Sequence, residues 1–216
     1  MVRSAVLTPL AMAVLELLLE RDMHPYEMTQ LMRERRVDHR VKLRPGSLYH
    51  TVERLEEQGV IEVVGTQRQG RRPERTVYAL TELGRDAFVD QARAMLATPA
   101  QEYTQYPVAL SAANELDQAD AMEQLRMRIV TLRAQIAADQ VVIDHVLADK
   151  LPTMYWIDYA YLHHQRQSEL TWTERLLGDL ESGRITWPAD GTPAGGTKSN
   201  LSVVDTSMGK DDGKAS

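Results

Sequence analysis

Gly46, Ser47, Tyr49 and His50 stand close together in the stretch RPGSLYHTVERLEEQGVI, combining hydrogen-bonding groups with little bulk. Small residues let a backbone approach a polyanion. Phosphates accept from N–H groups and Ser, while longer side chains reach base edges. The chemistry this set can do is recognition. Bond-making chemistry would need convergent Ser/His/Asp or paired carboxylates, and the sequence shows no such pattern. His163 and His164 with Asp158 have metal-binding types, but adjacent His residues leave different faces of a helix and no third His stands four residues away. Cys is absent, which excludes thiolate metal sites and disulfides. The reading is therefore of a chain with no catalytic residues, no metal and no cofactor.

These residues need an element to present them. Pro45 suits a first helical turn and Gly59 suits a left-handed helix stop, so a helix is expected from about Pro45 to Gln58. Leu48, Val52 and Leu55 make one apolar stripe, enough to dock this helix on a core but not to surround it. Gly46, His50 and Glu53 fall opposite that stripe at about 100° per residue, with Ser47 and Tyr49 on its flanks. A docked helix with a small polar N-terminal turn is what a DNA-reading helix requires, though an ordinary amphipathic surface helix has the same stripe. Arg44 and Arg54 complete the expected DNA-facing set on this helix.

The neighbours decide between these readings. Net charge is −6, but charge acts across only about 8–10 Å in salt. Residues 1–94 hold 15 basic against 14 acidic residues, leaving 10 against 17 for residues 95–216. Arg33, Arg35, Arg36, Arg40, Lys42 and Arg44 crowd the approach to the helix, and Arg68, Arg71, Arg72 and Arg75 follow it. Two basic clusters bracketing a helix are distributed as a phosphate clamp would be.

Before this helix, Thr8-Pro9 and His24-Pro25 open two more, the second turning Met28, Leu31 and Met32 inward. The apolar first segment is broken by Glu16, Glu20 and Arg21, so it reads as a buried helix and not as a signal or membrane anchor. After it, VIEVVG and TVYALT read as strands of a hairpin around a basic loop, Gly65 to Arg75. Thr81 caps a fourth helix carrying Phe88. The order is that of a winged helix-turn-helix, residues 1–98, with the loop as its wing.

Residues 99–107 have linker composition, and VALSAANEL has a short helical pattern. From Asp117 to Asp149 runs a heptad, with Met122, Ile129, Ile136 and Ile143 at one position and Leu125, Leu132, Asp139 and Val146 at the other. This pattern predicts a long helix packing on another and capable of pairing two chains, with Asp139 as either a solvated position or a polar register device. After Leu151-Pro152, a second long helix is expected to run from Thr153 to Gly183. Residues 108–187 thus form a helical dimerisation domain, and 188–216, poor in apolar groups, a disordered tail. The fold class is mainly α with a small β-hairpin. Tyr155, Trp156, Tyr159, Tyr161 and Trp172 gather five of the twelve aromatics in one helix. They are either a helix–helix core or dimer seam, or the walls of a site for a flat small-molecule effector.

The chain resembles the PadR family of bacterial transcription regulators. RPGSLYHTVERLEEQGVIE matches the family's Pro-Gly-Ser/Thr-hydrophobic-Tyr helix with its Leu-Glu-x-x-Gly exit, and GRRPERTVYALTELGR its Gly-Arg-Pro wing and Tyr-x-Leu-Thr-x-x-Gly turn. An extra arginine separates Gly70 from Arg72-Pro73. ELTWTERLLGDLESG is similar to the helical region of the longer members, named after virulence activators. The resemblance implies a homodimeric, DNA-binding regulator, usually a repressor and sometimes an activator, relieved by a small molecule or another signal; the absence of Cys fits a reducing cytoplasm, and two paired recognition helices would read a near-palindromic duplex operator. The competing reading is a winged-helix module that binds protein and not DNA, which has no need of Arg68, Arg71, Arg72 and Arg75 together.

Overall fold

The computed structural model describes residues 7–67 and 75–187 and divides the chain into two compact units, Met1–Tyr103 and Thr104–Ser216. The first unit begins with α1 (Pro9–Glu20), capped by the Thr8 hydroxyl, which accepts from the Ala11 N–H at 3.2 Å. Because α1 is apolar on nearly every side, it is buried along its length and becomes the centre of the core. Around it stand α2 (Pro25–Glu34) with Met28 and Met32, and α3 (Pro45–Glu57) with Leu48, Val52 and Leu55, all five buried. Leu31 is only half-buried.

The chain leaves α3 through Gly59 at φ 69°, where the Val60 N–H reaches back to the Leu55 carbonyl. It enters β1 (Ile61–Gln67), which pairs antiparallel with β2 (Arg75–Leu80) and carries a bulge between Val63 and Gly65. Met23 and Tyr78 exchange both backbone hydrogen bonds at 3.1 Å, adding a one-residue bridge to the hairpin. Thr81 then locks hairpin to helix: its hydroxyl donates toward the Gly59 and Val60 carbonyls (2.8 and 2.9 Å) and accepts from the Gly84 N–H, opening α4 (Glu82–Ala97). Gly84 is needed for space, since a Cβ there would lie 2.0 Å from the Val60 carbonyl oxygen.

In the second unit, α5 (Gln105–Ser111) starts inside the stretch expected to be linker. Pro107 is accommodated in its first turn, where backbone N–H groups have no intrahelical partner. The long helix α6 (Gln118–Ala148) is as expected. The next is shorter than expected: Thr153–Tyr155 form a 3-10 turn, and α7 (Ile157–Glu181) begins only after Trp156, whose backbone (φ −139°, ψ 16°) is not helical and whose indole N–H donates to the Leu151 carbonyl. Gly183, at φ 72°, follows its end.

The heptad of α6 is satisfied within one chain. Leu125, Ile129, Leu132 and Ile143 are buried and Met122 and Ile136 half-buried, while α7 buries Thr173, Leu177 and Leu180. Arg126–Glu181 (2.8 Å) and Arg133–Glu174 (2.7 Å), with Arg128–Glu169, tie the two helices in antiparallel register. The seam expected to pair two chains therefore pairs α6 with α7. Asp139 is not solvated either. It is 7% exposed, accepting from Arg166 Nη1 at 2.7 Å and the Tyr159 hydroxyl at 3.1 Å, with His163 Nδ1 3.5 Å away. A buried carboxylate persists only when a cation and hydrogen bonds compensate its desolvation, and α7 supplies both.

Candidate nucleic-acid interface

The outer face of α3 is set by what its inner face buries. With Leu48, Val52 and Leu55 in the core, Arg44, Gly46, Tyr49, His50 and Arg54 are left exposed and Ser47 half-buried, so the structure puts this set together at one surface. Among the described residues no side chain caps the N-terminus of α3 and a Cβ on Gly46 would meet nothing within 4 Å, which leaves the first turn open to an approaching group. The Thr51 hydroxyl donates to the Ser47 carbonyl at 2.7 Å, steadying that turn from behind. His50 Nδ1 lies 3.2 Å from a Glu53 carboxylate oxygen, which orients the imidazole on the outer face. Arg54 reaches only weakly toward the Thr8 hydroxyl, at 3.4 Å.

The acidic residues of the second half of α3, Glu53, Glu56 and Glu57, are exposed. Burial, with the Glu56 carboxylate beside it, holds the Tyr78 phenol above its ordinary pKa of 10.0, so Glu56 is engaged with the hairpin. Of the six basic residues before α3, two are neutralised: Arg35 forks onto Glu20, and Arg40 Nη2 lies 2.7 Å from Glu16. Arg33, Arg36, Lys42 and Arg44 are exposed and make no ion pair among the described residues. Sequence reasoning missed this division because Glu16 and Glu20 are distant along the chain. Arg68, Arg71 and Arg72 lie outside the described residues, as do the Arg75 side chain and the tail 188–216. Arg75 begins β2, opposite Gln67.

The family model described as the transcriptional regulator PadR-like family matches residues 14–90, from the middle of α1 through most of α4. Residues 14–90 belong to the PadR-like family. The family is one of transcriptional regulators. Among solved structures, Bacillus subtilis PadR in complex with operator DNA has a similar fold, with TM-score 0.68 and 18% identity over 80% of this chain and 99% of that one. PadR of the same organism in complex with p-coumaric acid gives 0.67 and 16%, over 81% and 99%. The virulence activator AphA of Vibrio cholerae gives 0.59 and 19%, over 81% and 99%. No curated protein matches the sequence. These likenesses run beyond the PadR-like domain into the helical unit, which shares the fold.

The aromatic residues expected to wall an effector site are not brought together. Tyr155 is exposed beside the 3-10 turn, Trp156 is tied to Leu151, and Tyr159 belongs to the Asp139 network. Trp172 stands 16 residues from Trp156, about 24 Å along a helix at 1.5 Å per residue. It packs edge-on against Tyr106, with ring centroids 6.0 Å apart. Tyr106 lies in the stretch read as linker, so no helical period pointed to it. Among the described residues no group of three or more His, Asp and Glu side chains is placed to hold a metal, and no helix is long and apolar enough to cross a membrane.

Proposed function

We propose that the chain is a homodimeric repressor that reads a near-palindromic duplex operator and is released by a small molecule. The observation that carries the DNA-reading role is the division of α3 between a buried Leu48/Val52/Leu55 face and an open N-terminal turn bearing Gly46, Ser47, Tyr49 and His50. Tyr49 and His50 reach base edges in the major groove, Ser47 holds a phosphate, and Arg44, Arg54, Arg68, Arg71, Arg72 and Arg75 neutralise the backbone. Repression follows from occupying the operator. The complex of Bacillus subtilis PadR with p-coumaric acid supports the small-molecule arm.

The dimer uses a different face of α6 from its heptad. Met127, Val130 and Val141 are 54, 59 and 69% exposed, and with the exposed Ala134 and Ala137 they recur at spacings of three and four on the side away from α7. An apolar stripe of that length left in water is what a second copy covers. A two-fold dimer would set two recognition helices about 34 Å apart, or a multiple of it.

The test selects DNA fragments from the host genome with purified protein, then measures affinity for them. Tyr49→Ala is expected to lose about 1–3 kcal/mol per half-site and to relax specificity. Arg72→Ala is expected to weaken all sequences alike and to flatten the salt dependence. A Tyr49→Ala protein that keeps both affinity and specificity would remove α3 from the groove.

A further inference from the structure

The sequence has three tryptophans, and two of them, Trp172 and Trp187, meet Tyr106 around a cavity of about 570 Å³ between α5, α6 and α7. Its size is that of a small-molecule pocket, and Leu125 and Leu180 help give it an apolar floor. The aromatic walls are held in place by the protein itself. The Tyr106 hydroxyl is 3.1 Å from that of Thr173, a fully buried residue, and the Trp187 indole N–H donates to the Leu116 carbonyl at 3.2 Å. The Arg128 guanidinium lies 3.5 Å from the centre of the Tyr106 ring. Walls fixed before binding lose little freedom when a ligand arrives.

The polar groups define the ligand's charge. Among the described residues, Arg128 is the one cationic side chain lining the cavity, and it is already paired: its Nε donates to Glu169 at 2.8 Å and its terminal nitrogen contacts the same oxygen. Glu169 already balances its charge, so the cavity offers an anion no uncompensated cation. Two amides also line the cavity, Asn114 and Gln124, and both give their N–H to carboxylates, of Glu115 (2.9 Å) and Asp120 (3.0 Å). A carboxylate accepts only, so each amide must present nitrogen to it, and its carbonyl oxygen stands outside that bond as an acceptor. What the lining offers is aromatic faces and hydrogen-bonding groups without net charge, the Asn114 and Gln124 carbonyl oxygens among them as acceptors.

We propose that this cavity binds an uncharged, planar aromatic molecule that carries a hydrogen-bond donor. The assignment rests on reading the chain as an effector-responsive regulator, and it places the effector at Tyr106, Trp172 and Trp187 and not at Trp156. An occupant here touches α5, α6 and α7 together. It has differential affinity for any two packings of these helices, which is the requirement for shifting operator affinity.

The test is calorimetric titration of the full-length protein with 2-naphthol and with 2-naphthoate, which share a two-ring frame but offer a neutral donor and an anion respectively. Binding of 2-naphthol is expected, with 2-naphthoate at least about tenfold weaker. Ala113→Trp, which fills the cavity from its lining, and Trp172→Ala, which removes a half-exposed wall, are each expected to weaken 2-naphthol about tenfold, circular dichroism confirming that both are folded. No heat with 2-naphthol, equal affinity in both folded variants, or tighter binding of 2-naphthoate would each overturn the proposal. A parallel measurement of operator-fragment affinity with and without 2-naphthol separates the two readings. Binding in the cavity without any change in DNA affinity upholds the site and removes effector release.

Discussion

The Asp139 network makes an ordering of variants that an exposed ion pair would not. Asp139 and Arg166 are unequally buried, with side chains 10 and 28% exposed. Arg166→Met leaves the carboxylate deep in the α6–α7 seam with only Tyr159 and His163 beside it, and stranding one member of a buried pair costs about 3–5 kcal/mol. Asp139→Leu leaves the guanidinium, but that group can turn to water. The remaining cost is that of the Tyr159 hydroxyl losing this acceptor, about 1–3 kcal/mol for an unsatisfied buried group, offset in part by the new leucine at a heptad position. The double variant strands no charge but removes the same acceptor from the Tyr159 hydroxyl, so it is expected within about 1 kcal/mol of Asp139→Leu. The order of stability is then native, next Asp139→Leu and the double variant together, and last Arg166→Met. Urea unfolding of the full chain by far-ultraviolet circular dichroism measures it, at fixed protein concentration because the proposed dimer would add to apparent stability. A double variant as unstable as Arg166→Met, or an Arg166→Met protein as stable as the native one, would refute the account.

Three further outcomes are expected. Gly84→Ala should destabilise the N-terminal unit by about 1–3 kcal/mol or more, since the clash is with backbone and no rotamer relieves it; an unchanged melting temperature would contradict the packing of α4 on Val60. Val130→Glu with Val141→Glu should convert the dimer to monomer while leaving helix content intact, as both residues are exposed in one chain; sedimentation showing an unaltered dimer would move the interface elsewhere. Arg35 and Arg21 hold the Glu20 and Glu27 carboxyls below their ordinary 4.5, so these pairs stabilise the first unit above that pH and are lost as acidification protonates the folded carboxyls. Both pairs are partly exposed and screened by solvent, so the loss is small, and Glu20→Gln with Glu27→Gln should flatten the acid limb of thermal stability between about pH 3 and 5; an unchanged limb would show that they contribute nothing.

Local chemistry in the sequence determined the first unit almost completely. Thr8-Pro9, Pro45, Gly59 and Thr81 start or stop elements by their own geometry, and the Leu48/Val52/Leu55 stripe decides which side of α3 faces out. Such signals act within a few residues of the backbone, so they need no knowledge of the fold. The heptad of α6 likewise announced a helix that packs on a helix, but a period gives a face and not a partner. That α7 of the same chain fills the seam was decided by the tertiary structure, through ion pairs between residues far apart in sequence. The same holds for the two arginines neutralised by α1, and for Asp139, whose burial is tolerable only because Arg166 and Tyr159 arrive on α7. The aromatic cavity belongs to this second class too. Composition concentrated attention on one helix, whereas Tyr106, Trp172 and Trp187 come from three separate stretches, and only folding brings surfaces from different stretches around one empty volume.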